Sequence, residues 1–133
     1  MTEIGSGLID TSVVIDRDVV APERLPAEAG ISAVTLAELS AGPHATDDPA
    51  ERSRRQSRLE WASSTFDPYP FDGDAARAYG QAVAAVRAAG RRERSRVADL
   101  LIAATAASLG LPLFTRNPDD FVGLEQLVDV RPV

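Results

Sequence analysis

The chain of 133 residues is predicted to fold as an α/β sandwich around a parallel sheet. Two observations point there. Short apolar runs near the two ends, "GLID" and "LPLFT", are bounded by turn residues, as strands are. Between them lie several segments with helix caps and helical spacing. Strands that alternate with helices make a parallel sheet covered by helices.

Taken in order, "GLID" (7–10) reads as the first strand, and "TSVVI" (11–15) starts a helical turn with Thr11 or Ser12 as its N-cap. Residues 17–29 hold Pro22 and Pro26 and read as loop. "GISAV" (30–34) is a second short strand, and "TLAELSAG" (35–42) a helix stopped near Gly42 and Pro43. Residues 47–66 form a helix, with Asp48 capping and Pro49 at its first position. "PYPF" (68–71) suits a short edge strand, where proline is tolerated. Residues 72–90 are a helix capped by an Asp and closed by Gly90, and residues 95–110 another closed by Gly110. "LPLFT" (111–115) is a strand, "RNPDDF" (116–121) a turn and "LVDV" (127–130) the last strand.

Composition narrows the function. The length suits one domain over 1–133 with a core of its own. Without cysteine, disulfides and thiolate metal sites are excluded. The N-terminus lacks a basic segment followed by a long apolar run, and "LLIAATAASLGLPLF" is too interrupted for a membrane span. A soluble cytoplasmic protein with no membrane partner is expected. The net charge of −6 opposes nucleic-acid binding by bulk charge. All 14 basic residues are nevertheless Arg, grouped at 52, 54, 55, 58 and again at 87, 91, 92, 94, 96. These groups are either solvated helix faces or phosphate contacts, which suit the guanidinium fork.

The chemistry lies in the acidic residues. Asp10 interrupts an apolar run, and an unpaired buried charge is costly. Glu38 follows the second strand, and Asp119 and Asp120 follow "LPLFT". Asp99 stands in "VADLLIAATAA", where nine of eleven residues are Val, Ala, Leu or Ile, so the helix is expected to be buried. Ligands gather beyond the carboxyl ends of parallel strands, so these segments can converge there. Clustered carboxylates repel unless a cation joins them. Mg²⁺ or Mn²⁺ takes oxygen ligands and can activate water and neutralise a phosphodiester transition state. For Asp99 the competing reading is an ion pair with Arg96; for Asp10, a helix cap; for Glu38, a solvated helix residue. His44 is a surface loop residue, and Trp61 packs the long helix. No P-loop, G-x-G-x-x-G or G-x-S-x-G is present.

Four pieces, "LIDTSVVI", "ISAVTLAEL", "ADLLIAATA" and "LFTRNPDDF", together resemble the PIN-domain family, specifically VapC-type ribonuclease toxins of type II toxin–antitoxin pairs. The resemblance covers essentially the whole chain. It implies a PIN-like three-layer sandwich with four or five parallel strands flanked by helices. It also implies a Mg²⁺- or Mn²⁺-dependent endoribonuclease, an RNA substrate and a cognate antitoxin, within a homodimer or a toxin–antitoxin hetero-oligomer. Carried over by position, Asp10, Glu38 and Asp99 resemble the first three acidic ligands and Asp120 the fourth. Asn117 occupies a place where some members carry Asp, so the fourth role is open between it and Asp120; Asp119 lies at a variable position. Ser12 and Thr115 match polar residues lining such sites, and Arg116 is placed to meet a phosphate. Asp16 and Asp18 read as loop charges. The segments "VTLAELSAG" and "RLEWASSTF" offer apolar faces between which a partner helix would lie.

Two other classes compete. One is an inactive PIN-like module that only sequesters RNA or a protein; the retained acidic residues oppose it. The other is a haloacid-dehalogenase-type phosphatase. It needs a second Asp where Ser12 stands and a downstream Lys, which the chain lacks.

Overall fold

The computed structural model describes residues 5–133. Four strands make one sheet: β1 (Ser6–Ile9), β2 (Glu28–Gly30), β3 (Leu113–Thr115) and β4 (Val130–Pro132). Their order is β2-β1-β3-β4, and every pairing is parallel. Leu8 stands opposite Gly30 on one side and Leu113 on the other, and Leu113 stands opposite Val130. Parallel strands need crossovers, and five helices supply them: α1 (Thr11–Ile15), α2 (Ala33–Ala41), α3 (Pro49–Thr65), α4 (Gly73–Ala88) and α5 (Val97–Leu109).

Alternation along the strands separates two cores. Leu8 and Leu113 face one side, with Ala82 and Val86 of α4 and Leu100, Ile102 and Ala103 of α5. Ile9 and Phe114 face the other, with Val13 and Val14 of α1, Leu39 of α2 and Ala62 of α3. The result is three layers, in agreement with the expected PIN-like sandwich. α5 is buried along most of its length, as its alanine-rich composition demanded.

Several boundaries differ from the sequence reading, each because a side chain or turn captures the backbone first. Asp10, not Thr11 or Ser12, caps α1, its carboxylate accepting from Val13 N. The second strand lies earlier than "GISAV". Ser32 Oγ accepts from Thr35 N at 3.0 Å and starts α2, so the ladder runs from 28 to 30 and only Gly30 falls within the predicted strand, Glu28 and Ala29 lying in the stretch read as loop. That stretch also holds a single 3₁₀ turn at Pro22–Arg24. "PYPF" makes one bridge, Tyr69 to Ser32, and no strand. "LVDV" is displaced to Val130–Pro132, because Leu127 N and Val128 N both donate to Leu124 O in a turn. Leu39 and Ala62 are buried in one cluster, so the inner faces of α2 and α3 meet each other and the sheet. Trp61 packs beside that cluster, its ring edge-on to Phe66 at 5.5 Å, and His44 is exposed. Among the described residues no helix is long and apolar enough to cross a membrane.

The close approach of β1 and β3 depends on Gly7. A Cβ there would lie 2.5 Å from Phe114 Cε1 and 3.1 Å from Pro26 Cβ. The Phe114 ring is buried and has no room to retreat. Gly7→Ala is therefore expected to cost about 1–3 kcal/mol in urea unfolding. Phe114→Leu should cost less in the Gly7→Ala background than alone; equal costs in both backgrounds would mean that the two sites do not touch.

Candidate active site

In a sheet ordered 2-1-3-4 the chain leaves β1 towards one edge and returns on its other side at β3. The crevice between the carboxyl ends of β1 and β3 is then the expected ligand position. Asp10 follows β1 directly, and Thr115 ends β3. Both are buried; Asp10 is only 4% exposed. Ser12 joins the two strands. Its hydroxyl donates to Asp10 Oδ1 at 2.5 Å, lies 3.5 Å from Thr115 Oγ1, and accepts from Arg116 N at 3.0 Å. Val13 N donates to the same Oδ1 at 3.2 Å. Burial raises the Asp10 pKa above the ordinary value, and the bonds from Ser12, Thr115 and Val13 oppose that rise.

Glu38 is exposed, yet it is not loose. Thr11 Oγ1 donates to Glu38 Oε1 at 2.6 Å and lies 3.1 Å from the buried hydroxyl of Thr35. The sequence assigns neither threonine to the site; Thr11 enters there only as a candidate N-cap. The signal was present, since Thr11 directly follows Asp10 and Thr35 stands one helical turn before Glu38.

Asp99 lies in the first turn of α5, partly buried. Its pKa is pushed up to about 6, first by burial and then by the negative charges of Asp120, Glu38 and Asp10. That mutual repulsion puts the four carboxylates in one electrostatic neighbourhood. Arg96 pairs with Asp120 and not with Asp99, donating to Asp120 Oδ1 at 2.7 Å, and its charge only partly offsets the rise at Asp99. Asn117 is exposed and serves through its backbone, N donating to Thr115 Oγ1 and O accepting from Asp120 N. Asp119 is exposed, and its carbonyl accepts from Arg91. Arg116 is held at Asp16 and at the Val133 carbonyl.

Among the described residues no three acidic or histidine side chains are drawn close enough to cage an ion by themselves. The donor set is all hard oxygen, with one buried carboxylate and a second carboxyl that holds its proton up to about pH 6. This fits a cation of the Mg²⁺ class, which uses one or two carboxylates and leaves the rest of its shell to water and substrate phosphate. It suits zinc less, whose protein sites are built mainly on Cys and His.

A family model described as "PIN domain" matches residues 7–125. The chain belongs to the PIN-domain family. Relatives within it are named ribonucleases. Ribonuclease VapC5 of Mycobacterium tuberculosis is 35% identical over 133 residues, covering 98% of this chain and 96% of the relative. Ribonuclease VapC8 of the same species is 41% identical over 105 residues, covering 78% and 93%. The solved structure of VapBC-5 from M. tuberculosis, a member of the VapBC family of toxin–antitoxin systems, superposes with a TM-score of 0.80. It shares 34% identity and covers 97% of this chain and 98% of that one. PIN-domain ribonucleases generally depend on a divalent metal.

The raised pKa of Asp99 sets a sign for stability. Between about pH 4 and 6 the folded protein keeps a proton that the unfolded chain has released. That contribution is complete at low pH and is lost as pH rises through the window. In chelator at pH 7, Asp99→Asn should raise stability by on the order of 1 kcal/mol, with a smaller gain at pH 4. A fall in melting temperature at pH 7 would show that the carboxylate holds the fold together.

Proposed function

We propose that the chain is the ribonuclease of a toxin–antitoxin pair and hydrolyses RNA phosphodiester bonds with Mg²⁺ or Mn²⁺ held at the Asp10–Asp99 centre. The observation that supports this is that Asp120, Glu38 and Asp10 lie near enough to Asp99, at the carboxyl edge of the sheet, to add their repulsion to the burial that raises its pKa to about 6. Carboxylates so placed destabilise the empty protein and are relieved by a cation.

In this reading Asp10 and Asp99 hold the cation directly. A divalent cation there neutralises phosphate charge and lowers the pKa of water. Asp10 is aimed by Ser12 Oγ and Val13 N, which fix its carboxyl plane. Glu38, steadied by Thr11, and Asp120, steadied by Arg96, are placed to orient a water or accept its proton. Ser12 and Thr115 are polar groups at the crevice, and Arg116, pulled back by Asp16, is the least committed of the proposed substrate contacts. The resemblance in sequence and fold to VapC5 and VapBC-5 supports a protein antitoxin as the natural restraint on this activity.

Purified protein incubated with total RNA should cleave it in Mg²⁺ or Mn²⁺ and not in EDTA. Asp10→Asn and Asp99→Asn should each lower cleavage by at least about a hundredfold while the fold persists. Chelation should leave the melting temperature within a few degrees, since burial and not metal holds the layers together. An active Asp99→Asn enzyme would remove that residue from the metal centre. Absence of metal-dependent cleavage by the wild type would leave an inactive binding module.

A further inference from the structure

Most arginines of the two clusters are already engaged. Arg54 and Arg55 pair with Glu51, Arg52 donates to the Pro43 and Thr46 carbonyls, Arg87 pairs with Glu93, and Arg96 with Asp120. Arg58 is different. It is partly buried on α3 and makes no hydrogen bond or ion pair among the described residues. It stands, with Ile15, where two grooves adjoin. The first, of about 340 Å³, is lined by Thr11, Glu38, Leu39 and Arg55 and so opens beside the acidic centre. The second, of about 270 Å³, runs on past Arg17, Ser53, Arg54 and Ser57. Arg17 is also without a carboxylate partner there; its guanidinium is fixed 4.1 Å from the Trp61 ring centroid, which leaves its N–H edge free to donate.

Glu38 and Glu51 also line the first groove and Asp18 the second, yet none of them pairs with Arg58, so its donor fork stays free at the junction of the two grooves, a local cationic point on a protein of net charge −6. A phosphate supplies a counter-charge and matches the planar donor fork. We propose that Arg58, supported by Arg17, holds a backbone phosphate of the RNA strand in this double groove, one step removed from the bond cut at the acidic centre. Thr11 and Glu38 mark the end of the groove that faces the scissile position; the serines of α3 and the Trp61-backed Arg17 mark the outgoing path. The occupant is RNA because the groove is continuous with a centre read as cutting phosphodiesters, so the inference rests on that reading. Arg58 is a binding residue for the substrate strand and takes no part in the bond-breaking step.

The test uses the full chain and a fluorescein-labelled single-stranded RNA oligonucleotide of mixed sequence. Binding is measured in EDTA at several salt concentrations, and cleavage in Mn²⁺. Arg58→Gln is expected to weaken binding and raise KM about tenfold, with kcat nearly unchanged. The salt slope should fall by about one contact. Arg58→Lys should restore the slope and part of the affinity, because it keeps the charge and loses the fork. Arg77→Gln, which removes an exposed guanidinium paired with Asp74 on α4, is the control and should match wild type. Melting temperatures should not separate the variants, since Arg58 has no intramolecular partner to lose. Wild-type cleavage with unchanged KM and slope in Arg58→Gln overturns the phosphate site and leaves the nuclease intact. Weakened binding of the antitoxin with unchanged RNA affinity also overturns it, and gives the groove to an acidic protein segment. A wild type that neither binds nor cuts RNA overturns the functional reading and this site with it.

Discussion

The structure depends on a carboxylate buried at the end of its central strand. Asp10 is nearly inaccessible, and its charge is opposed by burial and supported by only a few short hydrogen bonds from Ser12 and Val13. The fold tolerates this because the same group caps α1, accepting from the Val13 N–H that the helix start leaves without a backbone partner. Ser12 then ties the cap to β3 through Thr115 and the Arg116 amide. Three consecutive residues, Asp10 to Ser12, thus position the acid, start the helix and tie two strands together.

The parallel topology provides the rest. Because β2 and β3 lie on opposite sides of β1, the helices that follow β2 and precede β3 both reach the carboxyl edge of the sheet. α2 brings Glu38 from one layer and α5 brings Asp99 from the other. The turn after β3 adds Asp120, with Arg96 as its counter-charge. The two hydrophobic cores set these distances, so the repulsion at Asp99 is sustained by apolar burial elsewhere. An active site destabilised locally and supported by remote packing is a common arrangement in enzymes.

Much of this was legible in the residues. α3, α4 and α5 were marked by Asp48 with Pro49, Asp72, and Gly110, because caps act locally and their chemistry can be read residue by residue. The acidic positions were legible because Asp10 and Asp99 sit in otherwise apolar segments. The short strands were less legible. Where a ladder has three residues, its ends are decided by which hydroxyl or turn takes the next amide, as Ser32 does for β2 and Leu124 does before β4. Pairing choices were not legible either: Arg96 is closer in sequence to Asp99 than to Asp120, yet it bonds the latter, because the loop geometry after β3 decides it. The hydroxyls of Thr11 and Thr35 were invisible for the same reason, since their role exists only once α1 and α2 are side by side.

The central claim is that the carboxylates converge to receive a cation. It is tested most directly by following the Asp99 side-chain carboxyl carbon by NMR through a pH titration, with and without saturating Mg²⁺. The account predicts a midpoint near 6 in the metal-free protein and a fall to below about 4 with Mg²⁺, because the bound cation favours the charged form. A midpoint near that of an ordinary Asp in the metal-free protein, indifferent to Mg²⁺, would contradict it.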